Sequence, residues 1–178
     1  SLIKSRKHDI VYVGKEAVIA LKVKVYLAMR NWPKVIEEAN KINGIYTLTD
    51  SPNGVFAANL SNKESIFSLA NSANNNPGVN AALASQYKGR QLVAISPILW
   101  NDPAWLADDK RREKTNFTDN STTAMIIESS TGGLYTNKYK DQKTLTDTSP
   151  LLRYAEVLLN RAEAKARTGD MAGALADL

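Results

Sequence analysis

Apolar residues recur at helical spacing near both ends of this chain and lose that regularity between them. From Lys15 to Met29, Ala17, Leu21, Val25 and Ala28 fall on one face of a helix, and Val18, Ala20 and Leu27 widen it, while Lys15, Lys22 and Lys24 break the opposite side. The sequence Arg30-Asn31-Trp32-Pro33 predicts a break and a restart: Asn31 is a helix-capping residue, and Pro33 fits a first turn whose N–H groups have no partner in any case. Val35, Ile36, Ala39 and Ile42 carry the second helix, and Gly44 closes it. So short a turn makes two antiparallel helices, a hairpin over residues 15–43.

The other regular stretch is Ser149 to Asp170. With Ser149 as cap and Pro150 in the first turn, Leu151, Ala155, Leu158, Ala162 and Ala166 line one face, and Leu152 and Leu159 broaden it. Glu163 and Arg167 form a favourable pair four residues apart. Gly169 ends the helix and Asp170 caps a second arm, Met171 to Leu178. This second hairpin, 149–178, aligns with the first when Asn31 is set against Asp170, a match of pattern more than of identity.

Residues 45–148 read as a long irregular insertion. Ser51-Pro52-Asn53-Gly54 and Asn74 to Gly78 are turn chemistry, and "KESIFSLA" fits a strand or a short helix. "GIYTLT" suggests a short extended segment. "SPILWNDPAWLADDKRREK" suggests loop plus one short helix, and "TAMIIESSTGGLYTNKY" two extended runs about Gly132-Gly133, a hairpin candidate. The fold class is thus mainly α: tetratricopeptide-like helical hairpins with a long irregular insertion carrying short strands, within one domain spanning 1–178. Trp32, at a hairpin turn, is read as packing, and Tyr154 as buried or half-buried.

Composition narrows the function. The net charge is +5, but the densest basic cluster, Lys110-Arg111-Arg112, is hemmed by Asp108, Asp109 and Glu113, so no basic stripe points to nucleic acid. There is no cysteine, and the one histidine, His8, lies in a polar run and is read as solvated. That set argues against thiolate zinc, a histidine metal site and a nucleophilic triad. Glu37-Glu38 and Asp108-Asp109 are adjacent carboxylates that diverge rather than converge on one bond. Ser130 to Gly133 lacks the lysine and hydroxyl of a phosphate loop. We therefore expect no catalytic residues, no metal and no cofactor. No apolar run reaches the roughly 18 residues of a membrane span. The chain opens without a signal peptide or initiator Met, as a mature, trimmed or partial chain would. Asn59, Asn116 and Asn120 stand in glycosylation sequons that we read only as markers of surface loops.

"PLLRYAEVLLNRAEAKARTGD" resembles the C-terminal helical motif of the SusD/RagB family, and "AVIALKVKVYLAMRNWPKVIEEANKI" is similar to its earlier helix pair. "ESIFSLA", "DDKRREK" and "TNKYKD" fall where the family has comparable short blocks. The resemblance implies a non-catalytic, surface-exposed lipoprotein of the outer membrane. Such a protein captures oligosaccharide or polysaccharide and hands it to a TonB-dependent, SusC-like transporter; peptide or glycopeptide ligands also occur. It further implies that the chain is a piece of a longer protein, because the family's signal peptide, lipidated Cys and earlier repeat are not in it. The rival is a tetratricopeptide-like scaffold for a protein partner, against which the long insertion argues.

The family's ligand contacts lie in variable loops and transfer no residues, so the candidates come from chemistry. A sugar needs a flat apolar platform for its C–H faces, with amides and hydroxyls for its OH groups, and aromatic rings supply the platform. Trp100 and Trp105, with Asn101 between them and Tyr87 upstream, form the richest such region. The alternative is that both tryptophans plug a gap between hairpin and insertion.

Overall fold

The two hairpin turns have the same backbone. Asn31 and Asp170 cap with φ/ψ of −88°/72° and −84°/73°, and each accepts a backbone N–H three residues on, from Lys34 at 3.4 Å and Gly173 at 2.9 Å. The residue before each is left-handed, Arg30 at φ 55° and Gly169 at φ 90°. The alignment of Asn31 with Asp170 therefore sets equivalent geometry side by side.

These turns belong to a computed structural model of the chain that describes residues 9–119, 121 and 123–178. His8 and Asn120 lie outside the described residues. In chain order the elements are α1 (Lys15–Ala28), α2 (Trp32–Asn40), α3 (Gly54–Ala57), β1 (Ser65–Leu69), α4 (Gly78–Ala81), α5 (Pro97–Trp100), β2 (Lys114–Asn116), β3 (Ile126–Glu128), β4 (Leu134–Thr136), β5 (Ser149–Arg153), α6 (Tyr154–Arg167) and α7 (Met171–Ala176). The chain divides into two compact units, one holding α1, α2, β1, α6 and α7 with most of β5, the other made of Thr49–Asn62 and Ala70–Ser149.

In the first unit α2 packs on α1 and α6, and α6 on α7. The core runs through Ala17, Ile19, Ala20, Val23, Val35, Ala39, Ile42, Ile66, Tyr154, Val157 and Ala164, with Trp32 and Tyr46 partly buried against it. Burial pushes the Tyr46 hydroxyl up to about 12. A polar clamp joins three of the helices. Buried Arg161 of α6 donates to Asp177 after α7 (2.8 and 2.6 Å) and to Asn40 (2.9 Å) and Asn43 (3.2 Å) after the start of α2. Lys165 reaches the same Asp177 at 2.8 Å. Burial alone would raise the Asp177 carboxyl; the hydrogen bonds of Arg161 and Lys165 outweigh it and hold it below the ordinary range.

Four local expectations are corrected here. Ser149–Arg153 is a strand paired with β1, and the helix begins only at Tyr154. Pro150 suits a helix start, yet it also sits without cost in a two-stranded sheet, where every strand is an edge. The apolar face of α1 is rotated: Ile19 and Val23 are buried while Leu21 (55%) and Val25 (49%) are exposed. Because α1 is apolar on nearly every side, spacing alone selects no stripe. On α6 the buried residues are Tyr154, Val157, Arg161, Ala162 and Ala164; of the expected face Ala162 is buried and Leu158 partly so, whereas Ala166 is exposed and Leu151 lies in the strand, and a hydrogen-bonded arginine takes a core position. The Glu163–Arg167 pair forms as expected at 3.4 Å. "GIYTLT" forms no strand; only Thr47 N–H bonds across, to Lys63 O.

The second unit is built around a three-stranded sheet ordered β2-β3-β4. β2 runs parallel to β3, and β3 and β4 form the expected hairpin, with Ile127 opposite Tyr135. Ile126 and Ile127 are buried there with Ala124 and Met125. "ESIFSLA" resolves as β1, a strand of the first unit, and the 97–114 stretch contains the short helix α5 and a 3-10 turn over Lys110–Arg112. The second unit also buries charge. Lys88 is 3% exposed and has no hydrogen-bond partner among the described residues. Burial lowers its affinity for a proton, partly opposed by the carboxylates of Asp119 and Asp147. Asp147 is itself pushed up, again by burial.

Candidate functional site

The stretch from Ser96 to Lys114 is shaped by side chains bonding to nearby backbone. Ser96 accepts from Ile98 N–H at 3.2 Å and Pro97 fills the first turn, which starts α5. After α5, Asp102 accepts from Ala104 N–H at 2.8 Å and turns the chain so that Trp105 N–H meets Asp102 O at 3.0 Å. Asp109 then gathers three donors: the Trp105 indole N–H at 3.1 Å, Arg111 N–H at 2.8 Å, and the Arg111 guanidinium as an ion pair. The Arg111 side chain and backbone N–H hold the Asp109 carboxyl down to about 2.

These turns bring the two tryptophans together. Their ring centroids are 5.5 Å apart at 83°, edge to face. The Arg112 guanidinium lies 4.0 Å from the Trp100 ring centroid and 5.1 Å from that of Trp105, and its Nη1 donates to Trp105 O at 2.8 Å. Beside them is a hollow of about 370 Å³ lined by Leu99, Asp102, Ala104, Trp105 and Arg111. Ile98 is 85% exposed, and Leu92, Val93, Leu99 and Leu106 are also exposed, so this loop region presents an unusual share of apolar surface to solvent.

Each sequence candidate can now be placed. Trp100 and Trp105 are half-buried and in contact; Asn101 is exposed and follows directly on α5. Tyr87 is half-buried on the Ser85–Gly89 turn, which packs against β4, and the ring contacts of the tryptophans run to each other, Arg112 and Lys114 rather than to Tyr87. Sequence reasoning missed Leu99, Asp109, Arg111 and Arg112. It treated the basic run as a neutralised cluster, which the Asp109–Arg111 pair justifies, but did not connect that run to the rings. The signal available was spacing: Asp109 stands four residues after Trp105, within reach of its indole N–H. Among the described residues no group of His, Cys, Asp or Glu is arranged to hold a metal.

A second depression, about 540 Å³, lies in the first unit between α1 and α6, with Leu27, Trp32, Arg30, Glu156 and Arg167 among its walls. The Arg167 guanidinium sits 5.8 Å from the Trp32 ring there, and Lys24 pairs with Glu156 at 2.9 Å.

A sequence model of the SusD family matches residues 85–178, more than half of the chain. This chain belongs to the SusD family. Solved SusD-type structures carry the comparison across nearly all of it. A SusD superfamily protein from Bacteroides fragilis is 28% identical, with 98% of this chain and 38% of that one covered at a TM-score of 0.75. A SusD superfamily protein from Bacteroides thetaiotaomicron is 21% identical, covering 96% and 41% at 0.74. A SusD-like carbohydrate binding protein from Bacteroides vulgatus is 18% identical, covering 98% and 38% at 0.68; at that identity the likeness is one of fold. No curated protein matches the chain. The chain spans about two fifths of the length of these SusD-type structures, and it has their mainly helical fold with short strands.

Proposed function

We propose that this chain is part of a non-catalytic cell-surface protein that captures oligosaccharide or polysaccharide and delivers it to a TonB-dependent, SusC-like transporter. SusD family members are typically outer-membrane lipoproteins exposed at the cell surface, and among the described residues no helix is long and apolar enough to cross a membrane. The observation that carries the binding half of the reading is the hollow beside Trp100 and Trp105. It combines an aromatic wall with a carboxylate and a guanidinium, which is what a sugar's C–H face and hydroxyls require. Asn101, exposed next to α5, is a further hydroxyl partner, and Tyr87 is the fourth proposed contact.

We read the hairpins as tetratricopeptide-like units of one SusD-like domain, with residues 45–148 inserted between 15–43 and 149–178. Matching cap geometry at Asn31 and Asp170 supports that reading. The transporter is then the partner of the helical part, and no catalytic step is assigned.

Native affinity electrophoresis in gels containing different polysaccharides tests the glycan reading. Retention on one of them, weakened in Trp100→Ala or Trp105→Ala, is the expected result. Equal retention of wild type and both variants would take the rings out of the site. A signal peptide ending at a lipidated Cys in the full gene product is the corresponding test of location.

A further inference from the structure

The two tryptophans differ in what their faces are free to do. Trp100 is hemmed by cations, with the Arg112 guanidinium 4.0 Å and the Lys114 ammonium 5.8 Å from its ring centroid, and it receives the Trp105 ring at 83°. It does not line the hollow. Trp105 does, and its indole N–H is already committed to Asp109 at 3.1 Å, so what it offers a ligand is ring face rather than a hydrogen bond. One guanidinium fixes both rings, since Arg112 stacks on Trp100 while donating to Trp105 O at 2.8 Å.

The charges around the hollow are also unequal. Arg111 lines it but is neutralised by its ion pair with Asp109. Asp102 lines it with no ion pair among the described residues and a single backbone hydrogen bond, to Ala104 N–H at 2.8 Å. Among the lining residues Asp102 is thus the charge left without an ion pair, and its carboxylate accepts hydrogen bonds from sugar hydroxyls and repels a carboxylate brought against the lining.

We propose that Trp105 is the stacking platform, that Trp100 is its buttress, that Arg112 is a positioning residue setting the angle between them, and that the ligand is a neutral rather than an acidic sugar. This rests on the glycan-binding reading above, but its first test does not.

Replacing Trp32 by Phe leaves Trp100 and Trp105 as the chain's only tryptophans. In that background, acrylamide quenches the Trp105-only protein (Trp100→Phe) more steeply than the Trp100-only protein (Trp105→Phe). Adding Arg112→Met to the Trp100-only protein raises its quenching, because the guanidinium no longer shields the ring. Steeper quenching of Trp100 in the first comparison, or no rise with Arg112→Met, overturns the assignment of the rings whatever the ligand.

The second test uses affinity gels of amylopectin, galactomannan and mixed-linkage β-glucan against polygalacturonate. We expect retention on at least one neutral polymer and none on polygalacturonate. Trp105→Ala weakens that retention roughly 30-fold, as loss of a central aromatic anchor does. Trp100→Phe weakens it less than Trp105→Ala does, and Arg112→Met is intermediate, with a thermal midpoint like that of wild type. Equal losses in Trp100→Phe and Trp105→Ala overturn the division of labour. Preferred retention on polygalacturonate overturns the charge argument. Retention on none of the four polymers counts against the glycan reading, while the quenching result stands on its own.

Discussion

Replacing Asp177 by alanine strips the Arg161 guanidinium of two of its four hydrogen bonds and leaves a charge that is 6% exposed with only the amide oxygens of Asn40 and Asn43. Hydrogen bonds to charged groups contribute about 1.5–3 kcal/mol each, and removing one partner of a buried ion pair costs about 3–5 kcal/mol. The two amide acceptors of Asn40 and Asn43 remain. We therefore take the lower end, about 3 kcal/mol. For a chain of 178 residues that corresponds to a fall in melting temperature of roughly 6–12 °C, followed by far-UV circular dichroism. The coupling is measured by a double-mutant cycle with Arg161→Met: once the arginine is gone, Asp177→Ala costs much less. The pH dependence has a definite sign. Asp177 is held below the ordinary carboxylate range in the folded chain, so on acidification the unfolded chain takes up the proton first. Its contribution is complete above the ordinary aspartate pKa and fades as pH falls through the folded value, so the gap between wild type and Asp177→Ala narrows in acid. A fall of less than about 2 °C, or the same fall with and without Arg161, would refute the clamp as a stabilising element.

Other expectations follow from burial and backbone. Lys88→Met stabilises the chain by up to about 1 kcal/mol in urea titrations, because it removes a cation that burial disfavours. Burial depresses Lys88, so wild-type stability rises as pH climbs from the folded value toward the ordinary lysine pKa, and the variant lacks that rise. Ile19→Ala costs about 2–5 kcal/mol by the same titrations, whereas Leu21→Ala costs less than about 0.5, which distinguishes the buried face of α1 from the exposed one. Gly169→Ala costs about 1 kcal/mol by thermal melting, since φ is 90° there although the space beside it is open.

The parts of the fold that local chemistry dictates were legible in the sequence. Asn31, Asp170, Gly44 and Gly169 mark helix ends because each satisfies or relaxes the backbone at its own position, and the β3–β4 hairpin follows from Gly132-Gly133 between apolar runs. What stayed hidden depends on partners remote in the chain. Ser149–Arg153 is drawn out of the helix by pairing with Ser65–Leu69, and nothing within Ser149–Arg153 itself records that partner. The buried face of α1 was hidden for a different reason: its apolar residues spread round most of the helix, so Lys15, Lys22 and Lys24 do not single out one buried stripe. At the candidate site the rings were visible as residue types. Their contact, and the Arg112 guanidinium stacked over them, depend on successive turns at Asp102 and Asp109 whose combined effect spacing does not reveal.

The matching turns at Arg30 and Gly169 bear on how such helix-to-helix turns are recognised in a sequence. One copy keeps the glycine that left-handed backbone favours, while the other holds the same geometry with an arginine. A search keyed to glycine would find one copy and pass over its twin. The shared signature is the Asn or Asp that follows and the backbone N–H it captures three residues later, so the likeness of the two turns lies in the cap rather than in the bend.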